Sequence, residues 1–430
     1  MTIACSSRRA RPPCDALYID TNMMPIGVYV HFPWCLKKCP YCDFVSYAEQ
    51  PQQIEHERYA NAVIAELERR AENLADRRLE TVFFGGGTPS LWATSEIGRV
   101  LDAIVRTATT VAPNLEVTAE CNPTSLDGDK ARALVDVGIN RLSIGVQGTN
   151  RERLEFLGRL HDPSGGLRAV EAAVRAGVPR VSADLIYGVA VPEEGASARY
   201  LAGSPTREQT PQEAAAEARR VAETGVTHVS AYSLTIEAGT RFGELARRDK
   251  LPIADEDSVT DSFFAIEEAL GSMGLEHYEI SNYAKPGDEA RHNLGYWRGH
   301  DYLGLGCAAF GTVSGPGAKQ PASWALRYRN VTDPMRYMRT ALAGNVDVES
   351  EEALSPETRL RERIMLGLRL RAGFDVNEAT AHSGEIVWTD QRREAAKRLV
   401  ERGKLEMHGD ILRVPKHAWV LADGIAAELF

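Results

Sequence analysis

Tyr29-Val30-His31-Phe32-Pro33-Trp34-Cys35-Leu36-Lys37-Lys38-Cys39-Pro40-Tyr41-Cys42-Asp43-Phe44 is the stretch from which the rest of this 430-residue chain is read. Its three thiols, Cys35, Cys39 and Cys42, are close enough along the chain for one short loop to wrap them around three corners of an iron–sulfur cube. A cubane cluster has four irons, so three protein thiolates leave one iron open to a ligand from outside the protein. Zinc is the competing reading of clustered cysteines. It normally takes four closed nitrogen or sulfur ligands in paired short spacings, and no second pair follows downstream.

The composition around this loop is that of an ordinary globular protein, 43% apolar and 26% charged. Length favours one large domain plus a smaller one. No apolar run is long enough for a membrane span, and the first residues lack the apolar segment of a secretory signal. Cys5, Cys14, Cys121 and Cys307 have no framework spacing, which argues against a disulfide-stapled exported protein and for the reducing cytoplasm. A net charge of -10 argues against binding nucleic acid through the whole surface.

Residues 1–22 carry Arg8-Arg9-Ala10-Arg11-Pro12-Pro13 without apolar periodicity and read as a disordered basic extension. A solvated tail is the favoured reading, and a peripheral membrane contact stays compatible with it. From Pro25 onward short apolar runs alternate with helical patterns. Strands are expected at residues 26–30, 81–84, 115–119, 141–146, 180–186 and 228–234, with helices at 53–71, 95–107, 129–137, 167–176 and 211–223 between them. Gly138, Gly177 and Gly225 each close a helix before the next strand, as repeated βα units require. Six units predict a partial TIM-like (β/α)6 parallel barrel over 23–330, with a doubly wound open sheet as the alternative. Residues 195–211 read as an inserted surface loop. Helices at 244–250 and 256–273 and a strand at 276–280 follow. Over 331–430 the pattern turns to helices at 335–342, 357–370 and 390–402 and a hairpin turned by His408-Gly409-Asp410, a winged-helix-like unit with a structural or docking role.

In a parallel barrel, ligand contacts come from the carboxyl ends of the strands. There this chain places Gly85-Gly86-Gly87-Thr88-Pro89-Ser90 after the second strand, Glu120 at the end of the third, Gln147 at the end of the fourth and Asp184 in the fifth. One buried polar group is easily a structural acceptor; four at the same end of successive strands point to a ligand. Their chemistry suits a nucleoside: Glu120 and Asp184 can accept from ribose hydroxyls or amines, Gln147 can donate and accept, and the nearby Arg159 can pair with a carboxylate.

The three-cysteine loop, with Tyr41 just before its last cysteine, resembles the signature of the radical S-adenosylmethionine (radical SAM) superfamily. The resemblance implies a 4Fe-4S cluster whose open iron is chelated by S-adenosylmethionine and whose electron breaks the sulfonium bond to release a 5′-deoxyadenosyl radical. Tyr29-Val30-His31, Gly-Gly-Gly-Thr-Pro-Ser, Gly145-Val146-Gln147, Gly158-Arg159-x-His161 and Asp184-Leu-Ile-Tyr-Gly188 together are similar to the branch that contains oxygen-independent coproporphyrinogen oxidases and the haem chaperone HemW family. In that branch the matching residues, here Tyr29, Gly86, Gly87, Thr88, Glu120, Gln147, Arg159 and Asp184, contact S-adenosylmethionine.

Two features separate the members. The oxidases carry a fourth cysteine two places after the third, where this chain has Phe44. Arg291-His292-Asn293-Leu294-Gly295-Tyr296-Trp297 resembles the His-Asn-x-x-Tyr-Trp motif of the HemW family. An imidazole there can ligate haem iron, and Arg291 or Arg298 can meet the propionates. One position departs: the family pattern has His where this chain has Phe310. Cys307 reads as a small buried residue rather than a haem-linking thiol. The resemblance implies a protein that binds haem and hands it to haemoprotein acceptors. An oxidative decarboxylase of coproporphyrinogen III and an RNA-modifying radical enzyme stay open as alternatives, and catalytic turnover is not fixed by the sequence.

Overall fold

A computed structural model describes residues 23–197, 199–315 and 325–430. The expectation for residues 1–22 lies outside the described residues. The repeated apolar runs form β1 (Met24–Phe32), β2 (Arg77–Gly86), β3 (Thr110–Cys121), β4 (Arg141–Gln147), β5 (Arg180–Tyr187) and β6 (His228–Ser233). Five helices alternate with them: α1 (His56–Arg69), α2 (Thr94–Thr107), α3 (Gly128–Asp136), α4 (Pro163–Arg175) and α5 (Pro211–Ala222). Each strand pairs in parallel with the next in sequence. A doubly wound sheet would reverse its strand order at a switch point, so this sequential order belongs to a partial barrel.

Period-two alternation explains why the strands curl around a polar interior. On β1, Ile26, Val28 and Val30 are fully buried under the helical layer, while Gly27, Tyr29 and His31 face the other way. The same alternation on β4 turns Arg141, Ser143, Gly145 and Gln147 toward the inside. Gly138, Gly177 and Gly225 take the expected left-handed backbone at φ 104°, 79° and 91°.

Two helices follow β6: α6 (Glu256–Gly271) fills most of the expected 256–273, whereas a short one at Arg241–Ala246 starts and ends earlier than the expected 244–250. The sheet then extends through the expected strand at 276–280 and beyond it. β7 (Glu276–Glu279) and β8 (Asn282–Ala284) add antiparallel strands beside β6. After the short helix α7 (Arg291–Trp297), β9 (Asp301–Leu305) pairs in parallel with β1, and β10 (Phe310–Ser314), β11 (Ala325–Asn330) and β12 (Val348–Leu354) continue antiparallel. The glycine-rich stretch 301–311 masked these strands in the sequence, because Gly304, Gly306 and Gly311 break the apolar run. They are needed there: a Cβ at Gly304 would lie 1.9 Å from the Phe310 carbonyl oxygen. The expected boundary after residue 330 falls between β11 and β12, two paired strands of this one sheet. The insertion at 195–211 is likewise anchored by pairing of Ala190–Pro192 with Thr206–Glu208 rather than being wholly loop.

Beyond α8 (Pro334–Leu342), the C-terminal helices α9 (Pro356–Gly367), α10 (Val376–Ser383) and α11 (Asp390–Glu401) precede the expected hairpin. Its strands β14 (Glu406–His408) and β15 (Ile411–Arg413) are joined by β13 (Phe374–Asp375) in a three-stranded sheet. This unit docks on the end of the barrel. Trp419 meets the His277 ring edge-on at 4.4 Å, Lys416 pairs with Glu267 at 3.1 Å, and the Arg371 amide donates to the Tyr278 carbonyl. Among the described residues no helix is long and apolar enough to cross a membrane.

Candidate functional site

The cysteine loop leaves β1 and is tied back at its base. Trp34–Cys35 pairs in parallel with Tyr47–Ala48, and the Glu49 amide donates to the Cys35 carbonyl. Within the loop the Cys42 amide closes onto the Cys39 carbonyl. The glycine run after β2 completes the join, with the Gly87 amide donating to Phe32 O and the Thr88 amide to Trp34 O at 2.7 and 2.8 Å. The crowding these glycines relieve comes from the protein itself. A Cβ at Gly87 would lie 2.5 Å from the Trp34 carbonyl oxygen, and one at Gly86, which has φ 108°, would lie 2.5 Å from the His31 ring. The backbone of both still borders the cavity described next.

A cavity of about 850 Å³ occupies the barrel mouth and interior. Its lining includes Cys35, Cys39 and Cys42 together with Tyr29, Tyr41, Gly86, Gly87, Thr88, Glu120, Gln147, Arg159, Asp184 and His292, so the expected cluster, S-adenosylmethionine and imidazole positions meet in one space. Gln147 stands in left-handed backbone at φ 65°, a conformation rare outside glycine that turns the chain end of β4 toward the opening.

The electrostatics are those of a site built for charged partners. The Gly86 amide donates to Glu120 Oε2 at 3.0 Å, while burial first and the Asp184 carboxylate second push Glu120 up to about 8. Burial also raises Asp184, which accepts from Ser143 Oγ at 3.0 Å on both oxygens. Arg159 Nη2 donates to the Gly145 carbonyl at 2.7 Å and Nη1 lies 3.6 Å from Cys39 Sγ, yet its buried Nε has no hydrogen-bond partner. Thr118 Oγ1 and Arg141 Nη1, opposite each other across β3 and β4 and facing the same space, are also buried without partners. Orphaned donors and acceptors around a cavity of this size are what a bound polar ligand would satisfy.

Burial raises the Cys35 thiol and pushes that of Cys42 up to about 11, so both stay protonated until a metal ion supplies the positive charge that displaces the proton. Among the described residues no three His, Cys, Asp or Glu side chains gather as tightly as one mononuclear ion needs. Three free cysteines on one loop are the donor set that a cubane takes, one thiolate to each of three irons. The donor set therefore fits a 4Fe-4S cluster, and the carboxylates and Arg159 beside it fit the amino-acid and ribose groups of S-adenosylmethionine.

Comparison with known proteins agrees with this donor set. A family model for the Radical SAM superfamily matches residues 29–195, and one for the HemN C-terminal domain matches 354–421. The protein named heme chaperone HemW of Escherichia coli K12 is 32% identical over 409 residues, covering 95% of this chain and 99% of that protein. This chain belongs to the HemW family. The Mycobacterium tuberculosis heme chaperone HemW is 32% identical over 94% of this chain and 95% of its own length. The bovine mitochondrial radical S-adenosyl methionine domain-containing protein 1 is also 32% identical, over 81% of this chain and 74% of its length. Among solved structures, E. coli coproporphyrinogen III oxidase (HemN) superposes with a TM-score of 0.74 at 21% identity, covering 94% of this chain and 90% of that one, which shows a shared fold.

The HemW-family motif on α7 faces the cavity in a particular way. His292 is buried and stacked on Phe83 with ring centres 5.0 Å apart. Its Nδ1 hydrogen-bonds Thr81 Oγ1 at 2.7 Å and its Nε2 the Tyr296 hydroxyl at 2.8 Å, so both ring nitrogens are engaged. Burial lowers its pKa to about 3, leaving a neutral imidazole. The expected propionate partners are corrected: Arg291 donates to the Asn114 carbonyl, Arg298 is exposed, and neither lines the cavity. Cys307 is fully buried with Sγ on the Thr332 carbonyl, as a packing residue. Sequence reasoning missed His31, Arg141, His228, Tyr302 and Arg329, all of which line the space. For Arg141 the signal was present, since it shares inward parity with Gln147. Arg329 gave none, because its strand was not foreseen.

Proposed function

We propose that this chain is a haem chaperone, holding a 4Fe-4S cluster on Cys35, Cys39 and Cys42, S-adenosylmethionine beside it, and haem in the same cavity for delivery to haemoprotein acceptors. The observation that carries this is the single cavity of about 850 Å³ that joins the cysteine loop to the His292 motif. The names of its full-length relatives support haem as the cargo.

Each residue then has a task that its surroundings suit. Cys39 has the Arg159 guanidinium alongside, with Nη1 3.6 Å from its sulfur. Glu120 and Asp184 offer carboxyl oxygens to ammonium and ribose hydroxyl groups, and Gln147 offers both a donor and an acceptor. Tyr41 borders the loop, and Tyr29, hydrogen-bonded to His31 Nδ1 at 2.9 Å, borders the cavity beside Glu120. When bound, the cluster would supply an electron to the sulfonium of S-adenosylmethionine. His292, neutral across the physiological range, offers no competing proton to a metal once Nε2 leaves the Tyr296 hydroxyl.

Anaerobic reconstitution tests the reading. Iron and sulfide should load with a brown absorbance that Cys35→Ala, Cys39→Ala and Cys42→Ala each abolish, haem should bind in near-equal stoichiometry, and coproporphyrinogen III should remain unconverted. Conversion of coproporphyrinogen to protoporphyrinogen would replace the chaperone with an oxidase. Salt-sensitive binding of tRNA in place of haem would replace it with a nucleic-acid enzyme.

A further inference from the structure

β10 and β11 set Phe310 and Arg329 directly opposite each other, with the Arg329 guanidinium carbon 5.1 Å from the centre of the Phe310 ring. Both residues line the cavity. Arg329 Nε is shielded from water and has no hydrogen-bond partner. Its strand neighbour Arg327, two residues earlier, is by contrast held by Glu352 and Glu362 at 3.6 and 2.6 Å. A guanidinium that is partly desolvated and left without a carboxylate is costly as a structural device.

The aromatic residues beside it are equally unusual as packing elements. Phe310 is 45% exposed and Phe44 57% exposed, and both face the same cavity instead of the core. The corner is continuous: His31, whose pKa the Arg329 charge helps to lower, holds the Val45 carbonyl through Nε2 at 2.8 Å, next to Phe44. One wall of the opening thus presents open ring faces next to an unneutralised cation.

We infer that this corner is a subsite for the carboxylate edge of a flat, mostly apolar ring, with Arg329 taking the carboxylate and Phe310 and Phe44 the ring face. Under the haem reading, on which the inference rests, the carboxylate is a porphyrin propionate. The assignment explains why the positions first considered for that task, Arg291 and Arg298, lie outside the cavity. It also gives Phe310 a use as a stacking surface held in place by Arg329.

The test uses the full-length reconstituted protein and two probes, protoporphyrin IX and its dimethyl ester, which differ only in the carboxylates. Fluorescence titration should show the free acid binding about tenfold or more tightly than the ester, as one lost charge-assisted hydrogen-bond pair implies. Arg329→Ala should erase that difference by weakening the acid alone, and Arg329→Lys should restore part of it. Cluster absorbance and S-adenosylmethionine binding should be unchanged in both variants, which separates a lost subsite from a lost fold. Equal binding of acid and ester by the wild type, or acid binding untouched in Arg329→Ala, overturns the subsite while leaving the haem reading intact. Failure of the wild type to bind either probe, or haem, overturns the haem reading and the subsite with it.

Discussion

At the scale of single residues, the site combines buried carboxyls with an imidazole whose nitrogens are both occupied. Glu120 binds a proton in the folded chain up to about pH 8, whereas an exposed glutamate loses it near about 4.3. The folded state therefore holds more protons across that window, and stability falls as pH rises through it. In the cofactor-free protein, Glu120→Gln should melt above the wild type by a margin that grows from pH 5 to pH 8 and then levels off. Thermal melts at four or five pH values check this, and a margin independent of pH would contradict it. For His292, removing its Tyr296 partner is the informative change. Tyr296→Phe frees Nε2 and should tighten haem binding several-fold, while His292→Ala should abolish it. Weaker binding in Tyr296→Phe would instead make the tyrosine hydroxyl part of the haem contact.

At the scale of elements, the join between the cysteine loop and the glycine run is the weak point. Gly87 lies against the Trp34 backbone, and that backbone cannot move without unpairing Trp34–Cys35 from Tyr47–Ala48. Gly87→Ala should cost about 2 kcal/mol, within the usual range for forced backbone shifts. It should also reduce cluster content after reconstitution. Gly195→Ala makes a useful contrast. Unlike Gly87 that residue has positive φ, at 101°, but nothing stands within 4 Å of its added methyl, so it should lose only the smaller conformational term and keep its cluster. Urea denaturation with iron determination separates the two.

At the scale of the molecule, the C-terminal unit is fastened to the barrel through His277, sandwiched between the Tyr283 face at 4.1 Å and the Trp419 edge. Burial holds the His277 pKa below its usual value even though Glu267 pulls it upward. The folded chain thus binds fewer protons at this residue than the unfolded one, so its contribution is present above about pH 6.5 and fades as pH falls through and below that value. Trp419→Ala should remove about 3 kcal/mol from this contact and split one unfolding transition into two, with the C-terminal unit opening first. Differential scanning calorimetry shows whether one or two transitions occur; a single unchanged transition would mean that the docking rests elsewhere.

How much could be read without the structure follows from the range of the forces involved. Local patterning determined the six parallel strands, their helices, the closing glycines and the C-terminal hairpin, because alternation and capping act within a few residues. The cysteine spacing and the polar strand ends marked the cluster loop and the neighbouring carboxylates for the same reason. Tertiary structure alone decided the rest. Only pairing between distant segments could show that β9 to β12 extend the sheet past the expected boundary, that both His292 nitrogens are engaged, that the glycines answer to His31 and Trp34, and that Arg329 faces the cavity where Arg291 does not. Apart from His292 and Tyr296, four positions apart, these are contacts between residues far apart in the chain, and a linear pattern carries the propensity of each partner but not their meeting.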